Sequence, residues 1–138
     1  MSLIVQKFGG SSVRDMEHLL RMAHIAKERY EDGNDVVVVL SAQGDTTDTL
    51  LEKARELTPA PDRRELDMLL SAGEQVSAAL GALALQKLGV NAVSLCAWQI
   101  PIETNSAPGD AQIEMVDAAR IRRELDAGRI VVVTGFQG

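Results

Sequence analysis

Five consecutive apolar residues, Val36-Val37-Val38-Val39-Leu40, leave this chain few folds to choose from. The run is too short for a helix and has no polar alternation. That is the pattern of a strand buried on both faces of a parallel sheet. Leu3-Ile4-Val5 and Ile130 to Thr134 read as buried strands too, and Asn91 to Ala97 as a further strand. Between the first two runs, Met16, Leu19, Leu20, Ala23, Ala26 and Tyr30 recur at helical spacing. Ser12 and Asp15 are start signals for that helix, and Gly33 is its stop. Strand, helix and strand within about forty residues make a βαβ unit. The expected fold is therefore α/β: a three-layer αβα sandwich with a mainly parallel sheet and helices on both faces. Its strands should lie near residues 3–7, 35–41, 91–97 and 130–134.

The remaining stretches fill in the helices. Leu50, Leu51, Ala54 and Leu57 form a helical face that Pro59 and Pro61 end. From Asp62 to Leu88 the pattern is helical, with Gly73 marking a joint between two helices. Leu66, Leu69, Leu70, Val76, Leu80, Leu83, Ala84 and Leu88 are its expected core surface. Alanines and Gly81 make the second part thin, which suits close contact with a neighbouring helix, including one from another subunit. Trp98 to Pro108 reads as an extended or hairpin excursion with a partner strand at Ala111-Gln112-Ile113. Asp117 should cap a helix containing Ala118, Ile121 and Leu125, ended by Gly128.

Composition removes several function classes. A chain of 138 residues fits one domain. Its net charge of −6, with no basic cluster and interleaved aromatics, argues against a nucleic-acid surface. One cysteine, Cys96, excludes an internal disulfide and suits a reducing, cytoplasmic setting. Leu3 to Val5 is too short for a signal-peptide core, and no apolar stretch approaches transmembrane length. His18 and His24 share no four-residue spacing, so no metal signature emerges. Both histidines read as helix-surface residues, and Cys96 as inert core.

Chemistry concentrates in three places. The first strand runs into Lys7-Phe8-Gly9-Gly10-Ser11-Ser12. Glycines let backbone N–H groups approach a ligand closely. With a following helix and a lysine, such a turn suits an anion such as phosphate. The second strand ends in Ser41-Ala42-Gln43-Gly44-Asp45-Thr46-Thr47-Asp48, beyond the carboxyl end where ligands of open α/β sheets gather. Capping a helix needs one oxygen; this loop supplies Ser41, Asp45, Thr46, Thr47 and Asp48. Glu74 is the third place, a single carboxylate within a mild helical stretch.

These residues carry a family resemblance. Lys7-Phe8-Gly9-Gly10-Ser11-Ser12 resembles the opening motif of aspartate kinases, members of the amino acid kinase family. Val39-Leu40-Ser41-Ala42 with Gly44-Asp45-Thr46-Thr47-Asp48, then Leu69-Leu70-Ser71-Ala72-Gly73-Glu74-Gln75-Val76-Ser77, then Gly135-Phe136-Gln137-Gly138, follow in that family's order. Gln43 departs from it, since an apolar residue is commoner there, and Pro108-Gly109-Asp110 is less basic than usual.

The resemblance implies ATP-dependent phosphorylation of L-aspartate to 4-phospho-L-aspartate, the first step toward lysine, threonine and methionine. It implies ATP and Mg²⁺ as cofactors, and places Lys7, Phe8, Gly9, Gly10, Ser11 and Ser41 at the phosphates. Asp45, Thr46, Thr47, Asp48 and Glu74 fall at the aspartate, with Lys7 and Glu74 as the catalytic pair and no dedicated protein metal cluster. Residues 1–138 correspond to the N-terminal, substrate-binding part of such a domain, without the nucleotide-binding half or the ACT regulatory domains. Partners implied are L-aspartate, ATP and other copies of the kinase domain, with no nucleic acid and no membrane. A non-catalytic binding or assembly fragment, and a sibling kinase acting on acetylglutamate or glutamate, are the competing readings.

Overall fold

The computed structural model describes residues 2–96, 99–100, 102–104, 106, 113–116 and 118–135. In chain order these form strand β1 (Leu3–Phe8), a 3-10 turn (Gly10–Val13), helix α1 (Met16–Glu31), β2 (Asp35–Leu40), α2 (Thr46–Leu57), α3 (Arg63–Lys87) and β3 (Ala92–Leu95). Then follow β4 (Ile102–Thr104), β5 (Ile113–Val116), α4 (Ala119–Asp126) and β6 (Ile130–Thr134). Four strands pair in the order β1-β2-β6-β3, every neighbour parallel, with Val37 opposite both Val5 and Val131. The apolar run in β2 is thus an inner strand, as its composition requires. The excursion after β3 includes an antiparallel pair, β4 with β5. Ile113 belongs to the partner strand, while Ala111, Gln112 and the expected cap Asp117 lie outside the described residues.

Each face of the sheet has its own core. On one, Leu19, Met22, Ala23 and Ala26 of α1 meet Val36, Val38 and Leu40 of β2, with Ala78, Ala82 and Leu85 of α3 alongside. On the other, Leu125 and Ile121 of α4 cover Val37, Val131, Val133 and Leu95. Fully burying one such aliphatic side chain contributes about 1.5–3 kcal/mol. Helices on both faces of a parallel sheet are what the sequence led one to expect. Positive φ angles at Gly33 (93°) and Gly89 (83°) follow the ends of α1 and α3.

Three readings need correction. First, β1 is an edge strand rather than a buried one. Leu3 and Val5 on its outward face are 51% and 60% exposed, because α4 sits over β6 and β3 instead. Second, Gly73 is no joint: α3 runs unbroken for 25 residues from its cap at Asp62, whose carboxylate accepts from the Arg64 N–H at 2.9 Å.

Third, the large apolar residues of α3 do not all face the core. Val76 and Leu83 are 54% and 58% exposed, whereas Gly73, Glu74, Ser77, Ala78, Gly81, Ala82 and Leu85 are buried. The reason is distance. A Cβ on Gly81 would stand 2.5 Å from Leu40 Cδ1, and one on Gly73 would stand 3.1 Å from Ala42 Cβ. Each interior glycine costs a helix about 1 kcal/mol relative to alanine, so the close approach outweighs propensity here. By length and composition α3 could cross a bilayer, contrary to the sequence reading. Its buried face lies against the sheet, as in the core helix of a globular domain.

Gly81→Ala should therefore destabilise the protein by up to about 2 kcal/mol, overpacking against the buried Leu40 outweighing a helix-propensity gain of about 1 kcal/mol. Leu83→Ala should change unfolding stability by no more than about 0.5 kcal/mol. Urea unfolding of both variants checks the assignment of faces; the reverse ranking would refute it.

Candidate active site

Parallel pairing brings three strand ends to one edge of the sheet, and backbone hydrogen bonds join the loops that leave them. The Ser41 N–H donates to Phe8 O at 3.3 Å, the Gly44 N–H to Gly10 O at 2.9 Å, and the Gly135 N–H to Leu40 O at 2.9 Å. The glycine turn and the Ser41–Asp48 loop thus open on the same side of the sheet. Gly10 is required there, since a Cβ would fall 2.7 Å from the Ala42 carbonyl oxygen. Gly44 adopts φ +45°, which a side chain would strain.

The glycine turn differs from expectation in one respect. No α-helix follows it directly. Gly10 to Val13 form a 3-10 turn closed by the Ser12 N–H donating to Gly9 O at 3.0 Å, and α1 starts at Met16. Its cap is Asp15, which accepts from the His18 N–H at 2.8 Å and from the His18 ring at 2.6 Å. His18 is thus tied down and only 17% exposed, not a free surface residue. These contacts hold the Asp15 carboxyl below its usual range, the His18 backbone N–H most of all. The positive end of α1 is consequently offset from Gly9 and Gly10, and backbone N–H groups with Lys7 carry the anion argument. Phe8 packs its ring against the α1-side core, so its backbone is the part available to a ligand.

After β2, helix α2 begins at Thr46 with Asp45 at the cap position, but the Asp45 side chain makes no capping bond. Asp45 and Asp48 are exposed, and Thr46 and Thr47 half-buried. Gly73 of α3 fits against this loop, its missing Cβ 3.3 Å from Thr46 Cγ2.

Glu74, the next residue, is 7% exposed. Its Oε2 accepts from the Gly135 N–H at 3.4 Å, and the Ala42 backbone N–H also bonds to the carboxylate. Burial raises its pKa above the ordinary glutamate value; those two N–H groups and the charge of Lys7 oppose the rise without cancelling it. A buried carboxylate facing a lysine below two ligand-type loops is a functional-site signature. Lys7 itself is exposed near the end of β1, and its charge acts on Glu74.

The structure therefore brings together Lys7, Gly9, Gly10, Ser41 and Glu74 at the ends of β1, β2 and β6. Sequence reading missed the amides of Ala42 and Gly135 as partners of Glu74, and the bond from the Gln43 Nε2 to Val13 O at 2.9 Å. Backbone amides leave no trace in residue identity; the only signal was the smallness of Ala42 and Gly135. Cys96 lies just beyond β3, half-buried, with its N–H donated to Gln99 Oε1 at 2.8 Å. Burial pushes its thiol pKa up, in keeping with an inert residue.

The carboxyl ends of the parallel sheet thus gather a lysine, a glycine turn and a hydroxyl-rich loop, with a buried glutamate of α3 beneath them. The chain belongs to the amino acid kinase family, whose family model matches residues 2–138. Its relatives within that family include aspartokinases. That of Geobacillus stearothermophilus is 52% identical over 138 residues, all of this chain and 34% of that protein. That of Mycolicibacterium smegmatis is 52% identical across the whole chain and 33% of its own length. The chain spans about a third of the curated relatives it matches. Among solved structures, aspartate kinase from Synechocystis superposes with a TM-score of 0.85 at 45% identity, covering 99% of this chain and 22% of that one. E. coli aspartokinase III, crystallised with aspartate and ADP, shares the fold with a TM-score of 0.79 at 23% identity, covering 99% of this chain and 41% of that one.

The raised pKa of Glu74 sets the sign of a pH effect. A carboxyl whose folded pKa exceeds its unfolded value of about 4.3 contributes stability that is complete below that value. The contribution is lost as pH rises through the folded value. Glu74→Gln removes this titration, so the difference in Tm, variant minus wild type, should grow as pH is raised from about 4 and then level off. Thermal melts across that range check it. A difference that shrinks with rising pH would mean the carboxylate is net stabilised by its amide partners.

Proposed function

We propose that this chain supplies the aspartate-facing and phosphate-facing part of an aspartate kinase, which transfers the γ-phosphoryl group of ATP to the side-chain carboxylate of L-aspartate. The observation that carries the reading is Glu74, a carboxylate buried beneath the two loops and within the field of Lys7. Sequence identity of 52% to aspartokinases over the full chain supports the same substrate class.

The acceptor carboxylate has an ordinary pKa near 3.9 and is already ionised, so the reaction needs no general base. Its obstacle is bringing one anion to another. Two unit charges about 4 Å apart repel by about 4 kcal/mol at an effective dielectric of about 20. Lys7 and the amides of Gly9 and Gly10 offset that repulsion and stabilise charge on the phosphoryl oxygens in the transition state. Ser11 and Ser41 add hydroxyls at the phosphates.

Glu74 receives the aspartate ammonium, which supplies the compensating charge its burial otherwise denies it. Asp45, whose side chain is not used as a helix cap, joins Thr46, Thr47 and Asp48 along the aspartate's flank. Mg²⁺ bound with the nucleotide would supply charge neutralisation at its phosphates. Among the described residues no three carboxylates or imidazoles gather as a metal centre, so no residue of this chain is assigned to it. The setting proposed is cytoplasmic, and the enzyme self-associates, a reading supported by the outward apolar row Met68, Val76 and Leu83 on α3.

The test is hydroxamate formation by the complete kinase from ATP, Mg²⁺, aspartate and hydroxylamine. Lys7→Ala should lower kcat by about 10²–10³, with kcat/KM falling in parallel and KM for aspartate little changed. Glu74→Gln should weaken aspartate by about 1.5–3 kcal/mol while leaving ATP affinity nearly intact. A folded Lys7→Ala enzyme with normal kcat would remove the phosphoryl-transfer assignment. Phosphorylation of glutamate or acetylglutamate in preference to aspartate would transfer the site to a sibling kinase.

A further inference from the structure

We propose that Ser77 is a positioning residue whose hydroxyl donates to the Glu74 carboxylate once the substrate's ammonium group is bound there. The inference rests on the function proposed above. Ser77 is fully buried in α3, and its Oγ has no hydrogen-bond partner among the described residues. A buried hydroxyl without a partner is destabilising. Alanine would fill nearly the same space with a higher helix propensity. Packing alone therefore gives no reason for a hydroxyl at this position.

Its place on the helix supplies one. Ser77 stands midway between Gly73 and Gly81 on one stripe of α3. Gly73 rests against Ala42, and Gly81 against Leu40 and Val132, so Ser77 lies between helix and sheet, shut off from water. Glu74 precedes it by three residues, a spacing at which helical Cβ atoms are neighbours about 5–6 Å apart. Because Cα–Cβ bonds tilt toward a helix's N-terminus, the Ser77 hydroxyl is directed toward the turn that holds Glu74. A carboxylate offers about four acceptor positions, and the amides of Ala42 and Gly135 are the partners that reach Glu74 among the described residues. An unused donor and unused acceptor positions thus lie one turn apart in the same buried layer.

The ligand-free site gives them little cause to meet. Burial works against the charged form of Glu74, and the neutral form is a weaker acceptor. An adjacent ammonium group reverses that preference, and the ionised carboxylate then draws a stronger bond from any donor within reach. Lys7 is the other charge acting on Glu74, and it is present with or without substrate. Ser77 thereby steadies the carboxylate that steadies the aspartate.

The experiment uses the complete kinase with Ser77→Ala, alone and combined with Glu74→Gln. Without ligands, Ser77→Ala should melt at or above the wild-type temperature, since it removes an unpartnered hydroxyl. Its KM for aspartate should nevertheless rise about 10-fold, the effect of one hydrogen bond to a charged group, with KM for ATP within about twofold. In the Glu74→Gln background, which lacks the charged acceptor, Ser77→Ala should shift KM for aspartate by less than about twofold. An unchanged KM for aspartate, an equal rise in KM for ATP, a lowered melting temperature, or a full 10-fold loss in the Glu74→Gln background overturns the proposal. If Glu74→Gln weakens aspartate and Ser77→Ala does not, this inference fails alone; if neither does, the placement of the ammonium at Glu74 fails with it.

Discussion

Everything at the candidate site depends on how closely α3 lies on the sheet. At Gly73 and Gly81 a Cβ would press against Ala42 and Leu40, at 3.1 Å and 2.5 Å. That contact brings the helix backbone down onto the ends of β2 and β6 and carries Glu74 with it. One residue after Gly73, the glutamate arrives under the two loops with amide N–H groups already aimed at it. A bulkier helix face would bury more apolar area and would hold the carboxylate farther out, where water would solvate it. The helix accepts a propensity penalty at each glycine in return for that position.

The sheet was legible because parallel burial on both faces demands an unbroken apolar run, and Val36 to Leu40 is one. β1 was less so. Leu3-Ile4-Val5 has the same composition, but whether both faces are covered depends on where α4 docks, and local sequence does not record that. In α3 a rule of thumb misled: size was taken as a marker of the core, and Val76 and Leu83 point outward. The true buried face is made of glycine, alanine and serine, residues whose small size is itself the signal when a helix must lie close. Gly73 was read as a break for the same reason, its conformational meaning being weighed above its spatial one.

The site was legible in its side chains and silent in its backbone. Lys7, Gly10, Ser41 and Glu74 could be chosen from sequence, and the fold brings them to one edge. The partners that govern Glu74 are peptide N–H groups of Ala42 and Gly135, which any residue except proline could offer. The 3-10 turn between Gly10 and Val13 was likewise hidden, so the positive end of α1 was placed too near the glycines. The ion pairs on the outer helices, such as Arg120 with Glu124 at 2.9 Å, have little bearing on any of this.

The position of β6 has a consequence for how such a molecule is made. Among the described strands it comes after β3 in sequence, yet it sits between β2 and β3. Before Ile130–Thr134 emerges from the ribosome, β1 and β2 can pair locally, but β3 has no neighbour in the sheet and the inner edge of β2 is bare. The inner edge of β2 therefore waits for β6, a non-local pairing that is slow to form and leaves an apolar edge exposed meanwhile. The same insertion joins β2 to β3 and delivers Gly135 to Glu74, so sheet pairing and the carboxylate's hydrogen bond form together.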